Sequence, residues 1–161
     1  MTCLFFGNFL IKDIKMSKEF KARVVISLTE EFAKAVNKNG LQYTNSKALA
    51  PLKSVLSKHK ADLHNALRDF EYYVESSEAH GVSDNPIINW TRDATNNPHA
   101  TARYSVKFTL AVAGRKVFDR KFADNIAEDL KILIGNGPVK HVQVDSMDPS
   151  KNPPIPSRYF K

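Results

Sequence analysis

The sequence has one cysteine, Cys3, in 161 residues. A single thiol cannot close an internal disulfide or build a thiolate metal site, so nothing points to an oxidising compartment. No apolar run reaches the roughly 20 residues that span a bilayer. No membrane partner is expected, and the chain reads as intracellular and cytoplasmic. Glycine is sparse, with six residues. None of them forms a Walker loop or a G-x-G-x-x-G turn, so the two common phosphate-cradling motifs are missing. No cofactor is expected. The apolar start, Met1 to Ile11, has no preceding basic residue and no small-x-small cleavage site, which argues against a signal peptide. Residues 1–15 are expected to be a leader from an upstream start or an extra strand, since Met16-Ser17-Lys18-Glu19 looks like a more usual beginning. Without a secretion signal, the sequon Asn89-Trp90-Thr91 is coincidental.

What the chain does have is ordinary globular composition, with 42% hydrophobic and 25% charged residues, and a net charge of +7. Its length suits one domain with a real core. A positive balance favours anionic partners, though it also serves solubility. Lys21 to Leu28 is rich in β-branched residues and reads as a strand. Thr29 then offers a cap, Glu30 and Glu31 fill a first turn, and Gly40 ends a short helix. Asp124 is expected to cap a later helix with Ile126, Leu130, Leu133 and Ile134 on one face. Val139 to Val144 alternates and reads as a last strand.

The most prominent pattern lies between Pro51 and Ala79. Leu52, Leu56, His59, Leu63, Ala66, Phe70 and Tyr73 follow heptad spacing, which predicts one long amphipathic helix over about 51–79. Its bases (Lys53, Lys58, Lys60, Arg68) come first and its acids (Asp69, Glu71, Glu75, Glu78) come last, against the helix dipole. An antiparallel pair of such helices would set the basic end of one beside the acidic end of the other. Leu52, Leu56, His59, Leu63, Phe70 and Tyr73 are therefore candidate oligomer-interface residues, with His59 in or near the seam. The simpler account lays this stripe on the chain's own sheet.

Residues 82–101 read as a loop with Asn-Pro turns and a short strand at Ile87, Ile88 and Trp90. Tyr104 to Val112 alternates strongly, Ala113-Gly114 supplies a turn, and Lys116 to Phe122 is expected to return as the partner strand of a hairpin. A three-residue loop would set Leu110 opposite Phe118 and Val106 opposite Phe122.

Catalytic patterns are scarce. His59 and His64 are five apart and point away from each other on a helix, so they cannot share a metal as an i, i+4 pair would. His99-Ala100-Thr101 is a single H-x-T element where the two-histidine phosphoesterases need two. No metal site and no catalytic residue are assigned. The hairpin is the better candidate. Arg103, Lys107, Arg115, Lys116, Arg120 and Lys121 face one acid, Asp119, a local +5 of the chain's +7. Such cations can contact phosphates, although bases at a sheet edge also block edge-to-edge pairing. Tyr104 and Phe108 fall on the apolar side and the strand has no glycine, which departs from an RNA-recognition motif. In the tail, Pro153-Pro154-Ile155-Pro156-Ser157-Arg158 fits a P-x-x-P-x-R pattern. Ile155, Tyr159 and Phe160 are better read as anchors of an extended arm.

The expected fold is α+β, with a single antiparallel sheet carrying helices on one face. Its βα-ββ-αβ order resembles a ferredoxin-like plan with an inserted long helix. Residues 16–145 form one domain and 146–161 a proline-rich C-terminal arm. The expected function is non-enzymatic. The chain reads as an oligomeric binding or assembly protein whose basic hairpin contacts nucleic acid. The alternatives are a structural subunit of a phage or viral assembly and a small enzyme with a site in loop 82–101.

Overall fold

The computed structural model describes residues 19–82 and 84–160. The leader or strand expected at residues 1–15 lies outside them. The ordered elements run β1 (Ala22–Leu28), α1 (Glu30–Asn39), α2 (Ala50–His59), β2 (Ala61–Asn65), α3 (Ala66–Ala79), α4 (Pro86–Asn96), α5 (Pro98–Ser105), β3 (Lys107–Val112), α6 (Arg120–Lys131) and β4 (Val139–Ser146). The four strands form one sheet in the order β2-β3-β1-β4, and every pairing is antiparallel. This is the α+β single sheet that the pattern predicts, with the strand order of the split β-α-β plan.

Strand side chains alternate between two faces. Ala22, Val24, Ile26 and Leu28 of β1 share one face with Phe108 and Leu110 of β3 and Val142 of β4. Against it pack Ala33 and Val36 of α1, Leu52 and Leu56 of α2, and Ala123, Ile126, Ala127 and Leu130 of α6. Helix α6 gives the clearest stripe, because its four buried residues recur at helical spacing. Full burial of a residue such as Ile126 or Leu130 contributes about 1.5–3 kcal/mol. The helices α3, α4 and α5 form an insertion between β2 and β3, and α3 and α5 border the opposite face of the sheet.

The long helix over 51–79 is corrected. Helix α2 stops at Lys60, which adopts a left-handed conformation with φ 53°. Its N–H closes on the carbonyls of Leu56 and Ser57. The chain then extends as β2, pairing Leu63 with Leu110 and Asp62 with Ala111. Leu56 and Leu63 satisfy a heptad, but Ala61, Leu63 and Asn65 also satisfy a period of two. Pairing with β3 decides between them. The charge order is thereby resolved at the α2–β2–α3 junction, while Glu75 and Glu78 stay near the end of α3 with no base in its last turn. Lys58 and His59 sit in the last turn of α2 and Asp69 in the first turn of α3, each as the dipole prefers.

Two further expectations fail. Residues 82–101 hold α4 and α5 instead of a loop with a strand. Asn85 and Asn97 each cap a helix, accepting from Ile87 N–H and from His99 and Ala100 N–H, and the following proline occupies the first turn. The hairpin over 103–122 is also absent. Strand β3 pairs on both sides with β1 and β2. Ala113 and Gly114 make a tight turn with φ 49° and 75°, and Val112 and Arg115 exchange both backbone hydrogen bonds across it. Beyond the Val112–Arg115 turn, the returning segment pairs with the sheet where Phe118 bridges Ala22, and α6 begins two residues later. Leu110 therefore faces Leu63, not Phe118.

The tail folds back. Tyr159 is buried and donates from its hydroxyl to Asp93 Oδ2 at 2.6 Å, while Phe160 stays exposed. The arm is therefore anchored on α4 through Tyr159 and not through Phe160.

Candidate functional site

The face of the sheet opposite the core carries polar rows. The register sets Val25 between Thr109 and Gln143, with His64 beyond Thr109, and sets Ser27 between Lys107 and His141. Arg23 lies beside Asp145. A cleft of about 490 Å³ opens over this face. Val25 and Thr109 form its buried floor. Phe70 of α3, Tyr104 of α5 and Met147 and Pro153 of the tail border it.

Local sequence explains the walls. Asn65, the last residue of β2, caps α3 by accepting from Leu67 and Arg68 N–H at 3.1 and 3.2 Å. Its amide also donates to the Ser105 carbonyl at 2.8 Å. One buried side chain thus ties the start of α3 to the end of α5. Phe70 then meets Tyr104 edge-on, with ring centroids 4.9 Å apart.

The charges in the cleft are unequal in their commitments. Lys116 is paired with Asp69 at 2.7 Å. Arg23 reaches Asp145 at 3.3 Å through Nη2, and Gln143 donates to the same carboxylate. Arg23 Nε is buried with no hydrogen-bond partner, a state that native structures avoid. Lys107 and Arg103 make no ion pair among the described residues. They lie 5.8 and 5.7 Å from the centroid of the Tyr104 ring, within cation–π range. The Tyr104 ring at the border of the cleft thus lies within reach of two cations, Lys107 in the lining and Arg103 outside it.

Of the six bases expected on a hairpin, the structure brings Arg103, Lys107 and Lys116 to this region. Arg115 is exposed in the β3 turn. Arg120 is paired with Asp124 at 3.0 Å, and Lys121 follows it at the start of α6. The six interface candidates do not form one stripe. Leu52 and Leu56 are buried in the chain's own core, Leu63 lies on β2, and Phe70 packs on Tyr104. Tyr73 is half-exposed on α3.

His59 faces inward across the domain. Its Nε2 is 2.7 Å from Asp129 Oδ2, and Lys58 reaches the same oxygen at 2.8 Å. The hydrogen bonds from Lys58 and then His59 hold the Asp129 carboxyl below its ordinary value. The pair ties the end of α2 to α6. No group of three metal-ligating side chains is assembled among the described residues. None of the described helices is long and apolar enough to cross a membrane.

Sequence reasoning missed Arg23 and Gln143. Arg23 had a readable signal, as a charged residue at an outward position of a β-branched run. Thr109 and Gln143 become neighbours only through the pairing of β1 with both β3 and β4. No protein-family model matches the chain, and no curated protein and no solved structure matches it either.

Proposed function

We propose that the protein is a non-enzymatic binder of single-stranded nucleic acid, with the open face of its sheet as the contact surface. The observation that carries this reading is the Lys107–Tyr104–Arg103 cluster at the rim of the 490 Å³ cleft. An aromatic ring takes a base by stacking whatever its identity, and flanking cations meet the phosphates. The net charge of +7 favours the approach of a polyanion. The basic element of the sequence reading is thus replaced by a basic and aromatic patch drawn from β1, β3 and α5.

The test is fluorescence anisotropy with a labelled 12-nucleotide oligothymidylate at several salt concentrations. Lys107→Glu is expected to weaken binding at least tenfold and to flatten the salt dependence, because it removes one phosphate contact and adds repulsion. Unchanged affinity in this variant would sink the reading.

A second reading, self-association, is favoured by a different observation. Tyr72, Tyr73, Val82 and Ile87 are exposed on and beside the outer surfaces of α3 and α4, Tyr72 at 73%. They belong to two helices that pack on each other and to the segment between them, and exposed apolar surface of this kind suits a contact. Light scattering of the full chain separates the readings, since an assembly subunit forms discrete oligomers without nucleic acid.

A further inference from the structure

A second cleft, of about 370 Å³, lies between α4, α5 and the C-terminal arm. Tyr104 lines both this cleft and the one over the sheet, so the two are contiguous across α5. Trp90, the only tryptophan of the chain, forms part of its wall and is 37% exposed. Arg103 stands on the α5 side and makes no ion pair among the described residues. Arg158 stands on the arm, with its guanidinium carbon 4.9 Å from the Tyr159 ring centroid. The only carboxylate in the lining, Asp93, already accepts from the Tyr159 hydroxyl, and it lies 3.8 Å from Arg158.

We propose that this cleft is a nucleotide subsite, taking one unpaired base against Trp90 and its phosphate between Arg103 and Arg158. The proposal rests on the sheet-face reading, because the same strand would reach the subsite past Tyr104. The volume lies within the about 300–1,000 Å³ of small-molecule sites. Indole faces stack on any base, and guanidinium groups suit phosphate through their fork of donors. Two guanidiniums against one committed carboxylate leave the subsite net positive. The arm is then a functional wall, and the anchor Tyr159–Asp93 holds Arg158 in place.

Trp90 reports on its own occupancy. Unlabelled 12-nucleotide oligothymidylate is expected to quench the emission of the full chain in a saturable way, with the same midpoint as the anisotropy titration. Arg158→Gln is expected to lower affinity for the 12-mer about tenfold and to shift the quenching midpoint equally. If the labelled 12-mer binds and Lys107→Glu weakens binding, but Trp90 emission is unchanged and Arg158→Gln binds like the wild type, the subsite is overturned and the sheet face stands. If the wild type binds no oligonucleotide at all, both are overturned.

Discussion

Asn65 joins the fold to the candidate site, and its replacement by alanine has a calculable effect. The side chain accepts from two N–H groups at the start of α3 and donates to the Ser105 carbonyl at 2.8 Å and, more weakly, to the Lys107 carbonyl at 3.4 Å. Loss of a helix cap costs about 1 kcal/mol. Leaving the Ser105 carbonyl without its donor in a partly buried position costs about 1–3 kcal/mol more. Asn65→Ala should therefore lose about 2–4 kcal/mol, measured by urea unfolding followed at 222 nm. For a domain of this size that is a fall in Tm of about 6–12 °C. Asn65→Ser separates the two parts. A serine hydroxyl can still cap α3 but is too short to reach Ser105, so its loss should be smaller by about 1 kcal/mol. Because Ser105 and Lys107 flank the Tyr104 cluster, oligonucleotide binding should weaken in both variants. An Asn65→Ala protein within 0.5 kcal/mol of wild type would refute the reasoning, since neither set of hydrogen bonds could then matter.

Two other outcomes follow from the geometry. Lys60→Gly should stabilise the protein by about 1 kcal/mol, because a lysine at φ 53° pays a steric cost that glycine does not; a destabilised variant would contradict the left-handed junction between α2 and β2. Asp129 has its carboxyl held below the ordinary value of 3.8 by Lys58 and His59, so its contribution is present above that pH and lost as pH falls through the lower folded value. The stability gap between wild type and Asp129→Asn should therefore narrow between pH 6 and pH 3, and a gap that stays constant would contradict the clamp.

The sequence was legible where one period had no rival. β1 is a run of β-branched residues, β4 alternates, α1 is bounded by Thr29 and Gly40, and α6 carries an apolar stripe, although its cap is Asp119 and not the expected Asp124, and Leu133 and Ile134 lie beyond its end; these elements near the ends of the chain were readable. The middle was not. Between Leu52 and Tyr73 the apolar residues fit a heptad, and no glycine marks the stop, because the left-handed position is filled by Lys60. At Asn85-Pro86 and Asn97-Pro98 the same two residues that make a turn also make a helix cap and first turn. The alternation from Arg103 to Val112 spans the end of α5 as well as β3, which made a strand look longer than it is. The candidate site drew from these misread stretches. Lys107 and Arg103 were noticed for their charge, but their convergence on Tyr104 depends on where α5 ends. Arg23 and Gln143 join them only through the pairing of β1 and β4.

The central claim is that the open face of the sheet meets single-stranded nucleic acid. The most direct measurement is an amide ¹H–¹⁵N spectrum of the full chain titrated with the 12-nucleotide oligothymidylate. The account predicts saturable shifts concentrated at Arg23, Val25, Lys107, Thr109 and Gln143, with the Trp90 indole N–H moving in parallel. Shifts confined to α1, α2 and α6, which cover the other face, would contradict it.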